Sequence, residues 1–394
     1  MELAAIIVVD VRPEDLQAAA SHNGHGPSFP EHFAGMPLSL LSVVGKPIVC
    51  HAAEYLRAAG VQAITIITHE KLRDMAPVGG SICGDAKWVP TTDAWKTAAE
   101  EFSRYADEGA ENVLISRSGP YTEINVQQLL EFHLQQHQHA TSVEVAGEVL
   151  DIAMVAACRR HDAAFLLNNR LRKTLQPSRA YVSHGYLNHL KKPHDFRQLV
   201  RDALLMRCQI KPAGEEIKPG VWVGDHARIH RSVRLLAPAF VGAFAKLRAG
   251  TVVTRCAAIE DHAEVDCGTV VEDTTVLPYS YVGRGLDVAH AVVGQHYIAH
   301  LPLQAQVEIA DPRLLSTLTT SPSWQTIQNA ASLAGFLPLQ MARGLVGVIR
   351  RNKSNPVLST DKTTCPETPR PALDAAERER FSAELAVVRR YGNE

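Results

Sequence analysis

From Val223 to Val271 an aliphatic side chain recurs every six positions: Val223, Ile229, Leu235, Val241, Leu247, Val253, Ile259, Val265 and Val271. Two residues before each anchor, from Ile229 onward, stands a small or β-branched residue such as Ala227, Ala245, Thr251 or Thr269. An α-helix repeats at about 3.6 residues and a strand at about 2, and neither sustains this spacing. A chain wound into triangular coils does, with one hexad on each side and the anchors stacked inside. After Val271 the spacing slips. Leu277 keeps step while Val282 and Val288 come one residue early, so a loop or irregular coil is expected near 278–281.

The repeat resembles the left-handed parallel β-helix of hexapeptide-repeat proteins, an architecture best recognised before any local reading. The preceding residues follow a different pattern. Short aliphatic runs at 4–9, 63–68, 111–115 and 141–145 alternate with helical spacing at 47–59 and 126–137. That alternation predicts a Rossmann-like parallel or mixed sheet covered by helices. Residues 211–220, with two prolines and two glycines, read as a linker. The expected organisation is an α/β domain over 1–210, that linker, and a β-helix over 221–298. An apolar helical segment over 299–354, a flexible linker over 355–372 and an amphipathic helix over 373–394 follow.

Composition excludes some partners. With 40 basic against 42 acidic side chains, nothing points to nucleic acid or to an anionic membrane as the main partner. Seven scattered cysteines without a C-x-x-C pair predict reduced thiols, a cytoplasmic chain and no structural zinc. The opening MELAAIIVVD reads as a first buried strand, not a signal peptide. Residues 324–351 carry no charge until Arg343 and end in Arg350 and Arg351. They suit either an in-plane helix at a membrane surface or packing against the β-helix or another subunit.

Residues 36–49, M-P-L-S-L-L-S-V-V-G-K-P-I-V, lead into a helix and the strand AITIIT. Through Pro37, Leu40, Leu41, Gly45, Lys46 and Pro47 this segment resembles the sugar-nucleotide pyrophosphorylases, the sugar-1-phosphate nucleotidylyltransferases. Many members carry a left-handed β-helix after an α/β nucleotidyltransferase domain, so the resemblance covers roughly 1–294. It implies a nucleotide sugar or sugar phosphate as ligand and a place in cell-surface polysaccharide biosynthesis. In the implied reaction a sugar phosphate attacks the α-phosphorus of a nucleoside triphosphate. Mg²⁺, basic side chains and glycine amides offset the phosphate charge.

Here the chain departs from the family. The glycine-rich phosphate loop is replaced by Val8-Val9-Asp10-Val11-Arg12-Pro13, and the signature lysine position holds Leu38. Aligned on Thr122 and on the K-P before His194, the two metal-aspartate positions fall on Gly119 and His189. Neither is a hard-oxygen ligand for Mg²⁺, so no metal site is expected unless nucleotidyl transfer is retained. Lys46, Arg12 and Arg117 remain as phosphate-binding candidates, and Glu123, Asp195 and His189 as catalytic ones. The reading is a catalytically degenerate regulatory or scaffolding subunit, forming a homo-oligomer or hetero-complex through its β-helix. Trp222, Phe240 and Phe244 are the contact residues expected there. An active nucleotidylyltransferase with an atypical site is one alternative. A hexapeptide acyltransferase is another, with its general base among His226, His230, His262, His290 and His296.

Overall fold

A computed structural model of the chain describes residues 3–10, 32–33, 36–70, 83, 85–136, 140–171, 180–294 and 296–318. All lie in one compact unit, Met1–Asn329. Arg12, residues 319–354, the 355–372 stretch and residues 373–394, read as a helix, fall outside the described residues; the described start of the segment read as helical over 299–354 forms the strands Ala305–Glu308 and Leu315–Thr317 instead.

The first part is a seven-stranded mixed sheet. Its strands are β1 (Leu3–Val8), β2 (Ala63–His69), β3 (Lys87–Thr91), β4 (Asn112–Arg117), β5 (Ala140–Val145), β6 (Glu148–Ala156) and β7 (Tyr181–Ser183). They lie in the order β7-β5-β6-β4-β1-β2-β3. Only β6 runs antiparallel to its neighbours, β5 and β4. The central strand β1 is buried along its whole length because helices cover both faces. Alternation sorts its side chains between two cores. Leu3, Ala5 and Ile7 pack with Val49 and Ala53 of helix α1 (Ile48–Ala58). Ala4, Ile6 and Val8 pack with Trp95, Phe102 and Tyr105 of helix α2 (Ala94–Asp107). Helix α3 (Val126–Gln135) follows β4, and α4 (Arg160–Asn168) and α5 (Pro193–Leu204) complete the layer.

From Val221 the chain forms three sheets of very short strands that recur in strict rotation. Val223 pairs with Val241 and then Ile259, Ile229 with Leu247 and Val265, Leu235 with Val253 and Val271, all parallel. The hexad anchors therefore stack in columns inside the coil, as the spacing predicts.

Several expectations are corrected. The dropped residue lies before 278–281: Ile259 pairs with Val276, and Val271 with Val288. The inward residue is Val276, while Leu277 turns outward into the cluster around α5. Both are aliphatic, so spacing alone does not choose between them. Within the stretch read as a linker, Glu215–Lys218 forms a strand antiparallel to Val221–Val223. Phe240 is fully buried between the coil and α5 and offers no free contact surface. Against the expectation of reduced thiols, Cys50 and Cys83 form a disulfide with Cα atoms 4.7 Å apart; Cys158, Cys208 and Cys256 are free. Among the described residues no helix is long and apolar enough to cross a membrane.

Candidate functional site

A parallel strand that ends at the edge of a covered sheet opens its last residues to a crevice, the usual ligand position in open α/β sheets. Here β1 runs into Val9 and Asp10, and its neighbour β4 ends at Arg117, followed by Ser118 and Gly119. Because β6 runs the other way, its beginning lies at that same edge and brings in Glu148 and Asp151. With Pro37, Ser39, His189 and Lys191 these residues line a cleft of about 180 Å³.

Its inner charges are already matched. Arg117 Nε stands 3.2 Å from Asp10 Oδ2, and Nη1 stands 3.0 Å from Asp151 Oδ2. The first contact is one of charge, since Nε has no well-aligned hydrogen bond. At the rim, His189 Nδ1 and Lys191 Nζ each lie 3.4 Å from the Glu148 carboxylate. Asp10 and Asp151 supply hard oxygens, but the guanidinium occupies both, so these residues do not fit Mg²⁺ without displacing Arg117. Among the described residues no group of three or more His, Cys, Asp or Glu is placed to hold a metal.

Of the residues singled out from the sequence, Arg117 and His189 meet in this cleft; Glu123, Asp195 and Lys46 do not line it. Glu123 accepts from the Gln209 backbone N–H and from Tyr121 Oη at 3.2 Å, and burial raises its carboxyl above the usual range. Asp195 is a helix cap: its carboxylate accepts from the backbone N–H groups of Lys191 (2.9 Å) and Lys192 (3.1 Å) at the start of α5. The K-P-H-D pattern, with proline in the first turn and an acid behind it, is the signal for that role. Asp195→Ala is expected to cost about 1 kcal/mol of stability, measured by thermal unfolding. Lys46 pairs with Glu54 at 2.5 Å.

The G-K-P turn serves the structure. Val44 and Gly45 both adopt positive φ, 47° and 101°. Their N–H groups each donate to the Glu260 carboxylate of the coil, at 2.8 Å. A Cβ on Gly45 would stand 2.7 Å from Ala213 Cβ and 3.2 Å from Phe240 Cζ, so only glycine fits. Burial, with Asp261 adding to it, pushes the Glu260 carboxyl up to about 8, against the two N–H donors. Burial likewise pushes Asp261 up to about 6. Carboxyls raised in the folded state stabilise it fully below their unfolded values and lose that contribution as pH rises through the folded ones. The melting temperature is therefore expected to fall between about pH 5 and about pH 8. Glu260→Gln, which cannot ionise, should flatten most of that slope; an unchanged slope would remove Glu260 as its source.

The coil histidines are engaged elsewhere. His226, Phe244, His262 and Tyr279 stack in one corner ladder with ring centroids 5.0, 4.9 and 4.7 Å apart. His230 contacts Ser232 Oγ at 2.8 Å, His290 contacts Asp273 at 2.6 Å, and His296 contacts Thr317 at 3.1 Å. Sequence reasoning missed Asp10, Glu148, Asp151 and Lys191. Asp10 had a signal, as the polar residue closing a buried strand. The others belong to a strand and a helix start not recognised in the sequence.

No protein-family model matches the chain, and no curated protein does. Among solved structures, the crystal structure of HddC from Yersinia pseudotuberculosis is similar at 13% identity. The match covers 51% of this chain and 99% of that one, with a TM-score of 0.35.

Proposed function

We propose that the chain is a nucleotidyltransferase-like protein that has lost efficient nucleotidyl transfer. It serves as a binding or regulatory subunit in cell-surface polysaccharide synthesis, in the cytoplasm or at the membrane surface. The columns of anchors support reading the coil as a parallel β-helix; its left hand, and its assembly with another copy or another enzyme, are part of the proposal and rest on the resemblance. One observation carries the functional reading: Arg117 lies between Asp10 and Asp151 at the strand ends. A divalent ion there would keep open positions for phosphate oxygens. A guanidinium whose donors face two carboxylates offers none, and its charge is more than balanced. The rim is held more loosely: Lys191 and His189 stand 3.4 Å from Glu148 with exposed side chains, and with Ser39 they suit a sugar or sugar phosphate that competes for those contacts.

Pyrophosphate release with all four nucleoside triphosphates and a panel of sugar 1-phosphates, in Mg²⁺, tests this. No turnover above background is expected. Turnover that disappears in Asp10→Asn or Asp151→Asn would restore the enzyme reading and place the metal on those carboxylates.

A further inference from the structure

The coil has two ends, and they are closed unequally. At its C-terminal end, antiparallel strands extend two of the three sheets, through Tyr297–His300, Ala305–Glu308 and Leu315–Thr317. At its N-terminal end only Val221–Val223 is covered, by Glu215–Lys218. Arg228–Ile229 and Arg234–Leu235 are outermost in their sheets. Among the described residues no strand pairs with their outer edges. Such edges present unpaired N–H and C=O groups to any chain that can extend the sheet.

The interior also opens at this end. Val223, Ile229 and Leu235 are only partly buried, whereas Val241, Leu247 and Val253 one coil further in are 0, 2 and 0% exposed. Ile217 and Leu236 beside them are 49 and 47% exposed. A solenoid end of this kind needs a cap with a polar outer surface.

Charge selects the cap. The two uncovered strands and the turns beside them carry Arg228, Arg231 and Arg234 against one carboxylate, Asp225; Glu215, Glu216 and Lys218 lie on the covering strand, where Glu216 accepts from the Gly220 N–H. All three arginines are exposed, and among the described residues none has an ion pair. In the next coil Lys246 and Arg248 share Glu264, at 3.3 and 2.6 Å. Two such ends abutting would bring like charges together, which disfavours a second copy.

We propose that the open N-terminal end of the coil docks an acidic, extended polypeptide segment. The segment adds strands beside Arg228–Ile229 and Arg234–Leu235, covers the half-buried anchors with its apolar residues, and pairs its carboxylates with Arg228, Arg231 and Arg234. This is strand addition, with backbone bonds supplying affinity and the basic rim supplying selectivity. It stands independently of the chemistry assigned to the cleft. The competing role of the arginines is to guard the edge against self-association.

The full chain and a short labelled peptide of alternating valine and glutamate separate the two, by fluorescence anisotropy. Saturable binding that weakens with salt is expected, with none for a valine–lysine peptide. Arg228→Gln/Arg234→Gln should weaken it about tenfold or more while melting like the parent; the charge-reversed pair to glutamate should weaken it further. No binding up to millimolar peptide overturns the proposal, as does equal binding by a folded glutamine variant. Concentration-dependent self-association appearing only in the variants, without peptide binding to the parent, would assign the arginines to edge protection instead.

Discussion

Val253→Asp is expected to destabilise the coil strongly, whereas Val252→Asp, one residue earlier on the same strand, should be nearly silent. Val253 is fully buried in the stacked interior, paired between Leu235 and Val271. Val252 belongs to the outward column that runs from Arg234 to Val270 and Asp287 and is only partly buried. A carboxylate at Val253 would have no donor, and burying it unpaired costs several kcal/mol or forces it to stay protonated. Thermal unfolding followed by circular dichroism should show a loss on the order of 10 °C for Val253→Asp, partly recovered in acid as the carboxyl protonates. Equal melting of the two variants would mean that the hexad anchors do not face inward.

Arg197→Met should separate the sheet domain from the coil. Arg197 lies on α5 with its side chain fully buried. Its Nε donates to the Asp273 carbonyl at 3.0 Å, and Nη2 donates to Asp273 Oδ1 at 2.9 Å. Arg201 Nε reaches the same oxygen at 2.8 Å, and His290 the other at 2.6 Å. Burial pulls Arg197 down to about 10, so it stays charged at neutral pH. Burial also works to raise Asp273, but Arg201, Arg197 and His290 outweigh it and hold the carboxyl below its ordinary range. Removing one member of a buried pair costs about 3–5 kcal/mol, because the other is left uncompensated. Arg201 is 27% exposed, and Arg201→Met should cost clearly less. Denaturant unfolding compares them; a second transition in Arg197→Met alone is the expected signature. Equal losses would show that burial of Arg197 is not what joins the two parts.

Much of the architecture was legible because burial repeats. A strand inside a covered sheet is largely apolar, and β1, β2 and β4 were read that way; β5, Ala-Thr-Ser-Val-Glu-Val, alternates, burying Thr141, Val143 and Val145 and leaving the residues between them only partly buried. The hexads marked the coil for the same reason. The edge strand β3, Lys-Trp-Val-Pro-Thr, is half polar and passed unnoticed. So did β6, which follows an Ala-Gly hairpin turn whose residues take φ of 54° and 82°. The site was less legible. A motif match chose Lys46, Glu123 and Asp195 for chemistry, yet the first makes an ion pair, the second a half-buried hydrogen bond and the third a helix cap. The Gly45 turn that carried the resemblance is held by Glu260, which is 215 positions away in the chain.

By itself the sequence determined the coil, its anchors and the central strands, since side-chain periodicity records which direction each residue faces. Only the tertiary structure decided that Val276 and not Leu277 turns inward, that Cys50 meets Cys83, and that Arg117 is held between Asp10 and Asp151. Those outcomes depend on segments far apart in the chain arriving at one place. A charge is free or neutralised according to what arrives beside it, and no spacing along the chain records that.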